Sequence, residues 1–197
     1  MLPLILGIVI FLGVHLVPTS PELKAGLVER FGATAYKAAF GLLSLIGLVL
    51  IVLGYHKLQL LPDKNVVLWE PPVFAKHIAV ALMLPAMIFL VAYLVPSRIR
   101  TAVKHPMLIA IKTWALAHLV ANGDLASLIL FGSFLAYAVY DRITLKRRVT
   151  TAPVNVVAPA PINDAIVVIG GIALFAVILL WAHAHVIGVA PIPQISM

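Results

Sequence analysis

Histidine supplies most of the reactive chemistry in this chain. His15, His56, His77, His105, His118, His183 and His185 are present, and there is no cysteine. Thiolate nucleophiles, disulfides and cysteine-ligated metals are therefore excluded. Neutral imidazole is a general acid–base group and a metal ligand, including an axial ligand of haem iron. His15 and His118 lie within apolar runs, where a polar side chain is costly unless it is hydrogen-bonded or coordinated. Each reads either as a hydrogen-bonded core residue or as an axial ligand of a haem iron. Zinc is less well supported, because neither H-E-x-x-H nor a tight cluster of ligands occurs. His56 and His77 stand beside Lys57 and Lys76 at the ends of apolar runs and read as interfacial anchors. His183 and His185 are two positions apart, about 200° around a helix, and do not face one ligand together. His185, among small neighbours, is the alternative to His15 as a partner for His118.

Other polar residues share the apolar run of His118. Lys112 lies about 120° around a helix from His118, and His105 shares the lysine's face. Lys112 reads either as a side chain snorkelling to the membrane boundary or as a cation that neutralises a propionate or another anionic group. Asn122-Gly123-Asp124 has the chemistry of a turn. Asp124 also has the reach to support a ligated His118 from behind.

The elements that must position these residues are set by composition. Of 197 residues, 63% are hydrophobic and 11% charged, against roughly half and about a quarter in soluble domains. An all-α integral membrane bundle of about six transmembrane helices follows. The net charge of +7 sits in short loops, where it determines topology and does not form a nucleic-acid face. Apolar runs cover approximately residues 2–17, 38–55, 73–95, 106–121, 125–140 and 165–189. The first lacks a basic flank and a cleavage site, and is expected to be a retained span. Ser20 is expected to cap a short helix within 19–36, and His56-Lys57 to end the second run. Residues 58–72 read as a loop with Trp69 at the interface, and Pro85 as a kink in the third run. The fourth and fifth runs form a short hairpin, with a re-entrant pair as the alternative. Residues 149–163 read as a proline-rich linker inside a single transmembrane domain spanning 1–197. Gly47, Gly54, Gly170 and Gly171 read as close helix packing in preference to a ligand groove.

Cations give the orientation. Lys24, Arg30, Lys37, Arg98, Arg100, Lys104, Arg142, Lys146, Arg147 and Arg148 fall on one side of a six-span arrangement, and Lys57, Lys64 and Lys76 on the other. The first group should be cytoplasmic, with both termini periplasmic in a bacterial inner membrane. On that arrangement His15 and His118 differ in depth by about 8 Å, at 1.5 Å per helical residue, which a tilted haem tolerates.

The chain resembles the NnrU family of bacterial membrane proteins. The resemblance is carried by Lys104-His105-Pro106, by Lys112-x-Trp114-Ala115-x-Ala117-His118, and by Ala121-Asn122-Gly123-Asp124-Leu125-Ala126-Ser127. Phe131-Gly132-Ser133, Asp141-Arg142, His15, Arg30-Phe31-Gly32, Tyr36 and Ser44 extend it over nearly the whole chain. It implies an inner-membrane protein linked to nitrite and nitric oxide reduction. The family is similar in turn to plastid zeta-carotene isomerase, a haem b protein that isomerises a polyene. That similarity implies His15 and His118 as axial ligands and gives His105 the place of the isomerase's R-H-P histidine. The isomerase has a cysteine three residues before its second ligand, where this chain has Ala115, so a thiolate ligand switch is excluded. A fainter resemblance runs to isoprenylcysteine methyltransferases through Lys104-His105-Pro106.

The resulting expectation is a haem b redox protein acting on nitrogen oxides or a lipophilic small molecule. Lys112, Asn122 and Asp124 would tune its site, and membrane lipids and denitrification components would be its partners. Two other classes compete with it: a non-enzymatic membrane factor supporting denitrification enzymes, and a methyltransferase-like enzyme working near His105.

Overall fold

The computed structural model describes residues 1–147 and 160–191, which are helix, turn and loop with one isolated β-bridge. Leu2–Thr19, Ala33–Leu60, Val73–Leu94, Leu125–Arg147 and Pro161–Ile187 are each long and apolar enough to cross a membrane. A further apolar helix, Pro106–Ala121, has 16 residues, about 24 Å of helix against a hydrocarbon core of about 30 Å. The chain is an all-α, multi-pass membrane protein. Its contacts divide it into two units, Met1–Val66 and Val67–Met197.

The first unit contains α1 (Leu2–Leu16), α2 (Pro21–Phe31) and α3 (Ala33–Leu60). Helix α1 packs along α3, and glycines set how close they come. A Cβ on Gly7 would stand 2.7 Å from the Ile51 nitrogen, one on Gly47 2.8 Å from that of Phe11, and one on Gly54 2.5 Å from that of Leu4. Lipid supplies little hydrophobic drive between helices, so backbone approach through small residues is what holds such a pair. Gly47 and Gly54 are thus packing residues, as expected. Ser20 caps α2 by accepting from the Leu23 amide at 3.3 Å, again as expected. The expected break at His56-Lys57 does not occur. Neither residue breaks a helix, and Tyr55 and Leu58 remain buried there, so α3 continues until Pro62 bars Leu61 from the α region.

The second unit is built around α4 (Val73–Leu94), which packs on α6 (Pro106–Ala121) and α8 (Pro161–Val177). Helix α7 (Leu125–Arg147) packs on α6, and α5 (Arg98–Val103) is a short connector. Its interfaces are lined with small residues. Ala79, Ala86 and Ala92 of α4, Ala115 and Ala117 of α6, and Ala126 and Ala138 of α7 are all buried. A Cβ on Gly171 of α8 would come within 2.6 Å of the Ile88 Cα, so this glycine also serves packing. Helix α4 continues through Pro85.

The hairpin departs from expectation on one side. Helix α7 runs on to Arg147 and is 23 residues long, because Lys146 and Arg147 in its last turn suit the negative end of the helix dipole. Only α6 is short. Helix α8 begins at Pro161, a favoured first-turn position, with Asp164 in its first turn. Residues 161–163 of the expected linker are therefore helical, and 149–159 lie outside the described residues. Helix α8 passes through a π-helical turn, Ile178–Ala182, into α9 (His183–Ile187).

Candidate functional site

Helix α6 starts immediately after His105 and carries His118 one turn before its end. The two histidines lie about 20 Å apart along the axis, and each lines its own cavity.

At the His118 end, Nδ1 donates to the Trp114 carbonyl at 2.8 Å. A carbonyl only accepts, so the proton is on Nδ1 and Nε2 is the lone-pair nitrogen of a neutral ring. The ring is fixed by aromatic contacts. It stacks on Phe131 with centroids 4.3 Å apart and lies 5.3 Å from Trp114, which itself meets Phe131 at 4.9 Å and Phe134 at 5.5 Å. On another side stands His183, 6.2 Å away and within 18° of parallel, whose Nδ1 donates to the Val189 carbonyl at 2.6 Å. Both histidines line a cavity of about 160 Å³ with apolar walls that include Met83, Met87, Phe175 and Leu179. Lys76 and Asn122 are its polar members besides the imidazoles.

Small neighbours single out His185 in the sequence as the alternative to His15, yet His183 is the one beside His118. His185 is exposed, stacks on Trp181 at 4.9 Å and donates from Nδ1 to the Trp181 carbonyl. The π-helical turn just before these residues supplies the reason. Its wider i→i+5 repeat changes the angular phase of everything that follows, and such turns recur at functional sites.

The Asn122-Gly123-Asp124 triplet builds the turn after His118. Asn122 donates from both its backbone and its side chain to the His118 carbonyl, at 2.9 and 2.8 Å. Gly123 accepts from the amides of Leu68 and Trp69 at 2.7 and 3.1 Å, and a Cβ there would run into the Trp69 carbonyl. Asp124 caps α7, accepting from the Ser127 amide at 2.9 Å and the Ser127 hydroxyl at 2.6 Å. Its carboxylate thus faces the start of α7. Lys112 is half-buried on α6, lines neither cavity, and makes no hydrogen bond or ion pair with another described residue.

At the His105 end the surroundings are ionic. Tyr93, Arg100, Lys104, His105, Asp141 and Leu145 line a cavity of about 270 Å³. Burial, then the Arg142 charge, hold the His105 imidazole below its ordinary 6.5; Asp141 acts in the opposite sense, and Lys104 adds to the lowering. Asp164, at the start of α8, accepts from the Arg98 amide at 2.8 Å and pairs with the Arg98 side chain at 3.8 Å.

His15 belongs to the first unit. Its Nδ1 donates to the Phe11 carbonyl at 2.6 Å, and its ring lies 4.2 Å from Phe11 and 5.0 Å from Phe40. Tyr36 and Ser44 stand four residues either side of Phe40, and their buried hydroxyls have no hydrogen-bond partner among the described residues. The structure therefore gathers Asn122 and His118 around one cavity and His105 around another, and it places Lys112 and Asp124 at neither. Sequence reasoning missed Phe131, His183, Lys76 and Arg100 as neighbours of these histidines, and Asp164 as the partner of Arg98. The i, i+4 spacing of Trp114 and His118 was the available signal for the aromatic cage.

Among the described residues no three His, Asp or Glu converge as a metal site. No curated protein and no solved structure matches the chain. A family model described as NnrU protein matches residues 3–191, so the chain belongs to the NnrU family.

Proposed function

We propose that this chain is a haem b-binding protein of the bacterial inner membrane, in which His118 would hold the group and His183 is the second imidazole available in the same unit. The observation that carries this reading is the state of the two rings. Each spends Nδ1 on a backbone carbonyl, which leaves Nε2, the nitrogen that ligates a metal, as the free lone pair. The residues fit the group as donors: two neutral imidazoles, apolar walls, and Lys76 as a cation for a propionate. Bound haem b would supply one-electron redox chemistry at its iron. The chain's own part would be to fix the His118 ring through Phe131 and Trp114 and to exclude water with Met83, Met87 and Phe175. The family's link to nitrite and nitric oxide reduction favours nitrogen oxides, or a lipophilic molecule, as the partner in that chemistry. The chain has no cysteine and carries Ala115 three residues before His118, so no thiol serves an isomerase-type ligand switch.

The cavity volume favours a second reading. At about 160 Å³ it falls below the roughly 300–1,000 Å³ of ordinary small-molecule sites, which suits a small apolar ligand held without metal. Absorption of the detergent-purified protein, expressed with ample haem supply, separates the two. The haem reading expects a Soret band that is lost in His118→Ala, shifted or weakened in His183→Ala, and retained in His15→Ala. A colourless wild-type protein would overturn it and leave the small-ligand reading.

A further inference from the structure

The geometry points to a second site, at the His105 end of α6, that binds the phosphate of an anionic membrane phospholipid, with Arg100 and Lys104 as its cations and His105 as a hydrogen-bonding wall. Nothing in the haem reading uses this cavity.

The turn between α4 and α6 carries Arg98, Arg100 and Lys104. Arg98 is neutralised by Asp164, and Asn163 fixes the same turn by donating to the Pro96 carbonyl at 2.6 Å. Arg100 and Lys104 have no ion pair among the described residues, yet both line the same cavity. Among the described residues Asp141 is the one carboxylate lining that cavity with Arg100, Lys104 and His105, and the Arg142 charge also acts on His105. A cavity with an excess of cations is completed by an anion.

The backbone supplies an independent observation. Lys104 has φ 62°, and the His105 amide donates to the Val103 carbonyl at 2.7 Å. Together these make a γ-turn with a non-glycine residue at positive φ, a rare and strained arrangement. Strain of this kind persists where surrounding structure holds it, and it clusters at ligand clamps. A cation that served only to orient the chain in the membrane would need neither the turn nor the cavity.

Position and size identify the anion. The walls are the C-terminal end of α4, the connector α5 with Lys104 after it, the N-terminal end of α6 and the C-terminal end of α7, where apolar helices meet the headgroup layer. Tyr93 brings an amphipathic ring of the kind found at that depth. The adjacent Leu94 is 70% exposed, an apolar surface for an acyl chain. A volume of about 270 Å³ holds a phosphate with several waters of about 30 Å³ each. Basic pockets between membrane helices are a recognised setting for anionic headgroups.

The test is native mass spectrometry of the full chain released from detergent and titrated with phosphatidylglycerol or phosphatidylcholine. One phosphatidylglycerol should be retained at least tenfold more tightly than phosphatidylcholine. The double variant Arg100→Gln/Lys104→Gln should lose that preference and Lys104→Arg should keep it. Arg147→Gln, an exposed cation outside the cavity, should leave it intact. Equal binding of the two lipids by the wild-type protein would overturn the proposal without recourse to any variant, as would equal weakening by Arg147→Gln and the double variant. Displacement of the lipid by inorganic phosphate at comparable concentration would overturn the lipid as the source of the phosphate. None of these readouts depends on haem, so a colourless protein leaves the test unaffected.

Discussion

His105 and His118 occupy the two ends of one helix, and their neighbours have almost nothing in common. Around His118 stand Trp114, Phe131 and a second imidazole, with its own carbonyl capped twice by Asn122. Around His105 stand Arg100, Lys104 and Asp141, with a strained lysine immediately before it. The contrast shows what fixes a histidine's use. An aromatic cage immobilises the ring and, with Nδ1 committed to a carbonyl, presents one neutral nitrogen to an apolar space. A charged cavity leaves the ring able to titrate and favours an ion. Residue type is shared, so the difference lies in the neighbours: Arg100 of α5, Lys104 after it and Asp141 of α7 at one end, Trp114 of α6, Phe131 of α7 and His183 of α9 at the other.

Removing the cage should have the largest effect. Phe131 is 3% exposed and stacks on His118. Phe131→Ala should cost about 3–5 kcal/mol, read by unfolding in mixed micelles, and should release the His118 ring. Phosphatidylglycerol binding at the other end should survive in the folded fraction. Loss of both together would mean that the two ends are one cooperative site, and the contrast would fail. Gly123→Ala should come next, at about 1–3 kcal/mol, because the added carbon meets the Trp69 carbonyl that pairs this turn with residues 67–69. Asp124→Ala should cost about 0.5–2 kcal/mol as the loss of a helix cap, measured in the same way. The position of any Soret band should stay where it is, since the carboxylate is engaged with Ser127. A shift of that band would instead place Asp124 behind His118.

The ends of α6 also differ in how far the sequence disclosed them. The spans, the Ser20 cap, the short α6 and the packing glycines follow from local pattern: apolar runs, a capping residue ahead of a proline, small residues at helical spacing. The turn at Asn122-Gly123-Asp124 was legible for the same reason. What surrounds each histidine was not, because it comes from residues distant in the chain. Phe131 and His183 reach His118 across helix interfaces, and the π-helical turn that brings His183 round leaves no mark in composition. Asp164 lies 66 residues from Arg98, so no window on the sequence links them, and without that pair Arg98 cannot be told apart from Arg100 as a free cation. The extension of α3 past His56-Lys57 was hidden by polarity, which marks where a helix leaves lipid and says little about where it stops.

The finest test of the contrast is a titration of His105. Burial and the neighbouring Arg142 lower its pKa below 6.5, so between 6.5 and that lower value the unfolded chain binds a proton that the folded chain refuses. In that window the unfolded state carries more protons, and stability therefore rises with pH. The contribution is complete above 6.5 and is lost as pH falls through the window. Solvent screening at the boundary keeps it small, so proton NMR of the ring is the better readout than an unfolding curve. The midpoint should lie below 6.5 in the lipid-free protein and move up in Arg142→Gln, which removes one of the charges that disfavour the imidazolium. Added phosphatidylglycerol should raise it as well, because a phosphate on Arg100 and Lys104 offsets the cations that His105 faces. A midpoint that ignores the lipid while binding persists would put the phosphate elsewhere, and would reduce His105 from a wall of that site to the residue that merely opens α6.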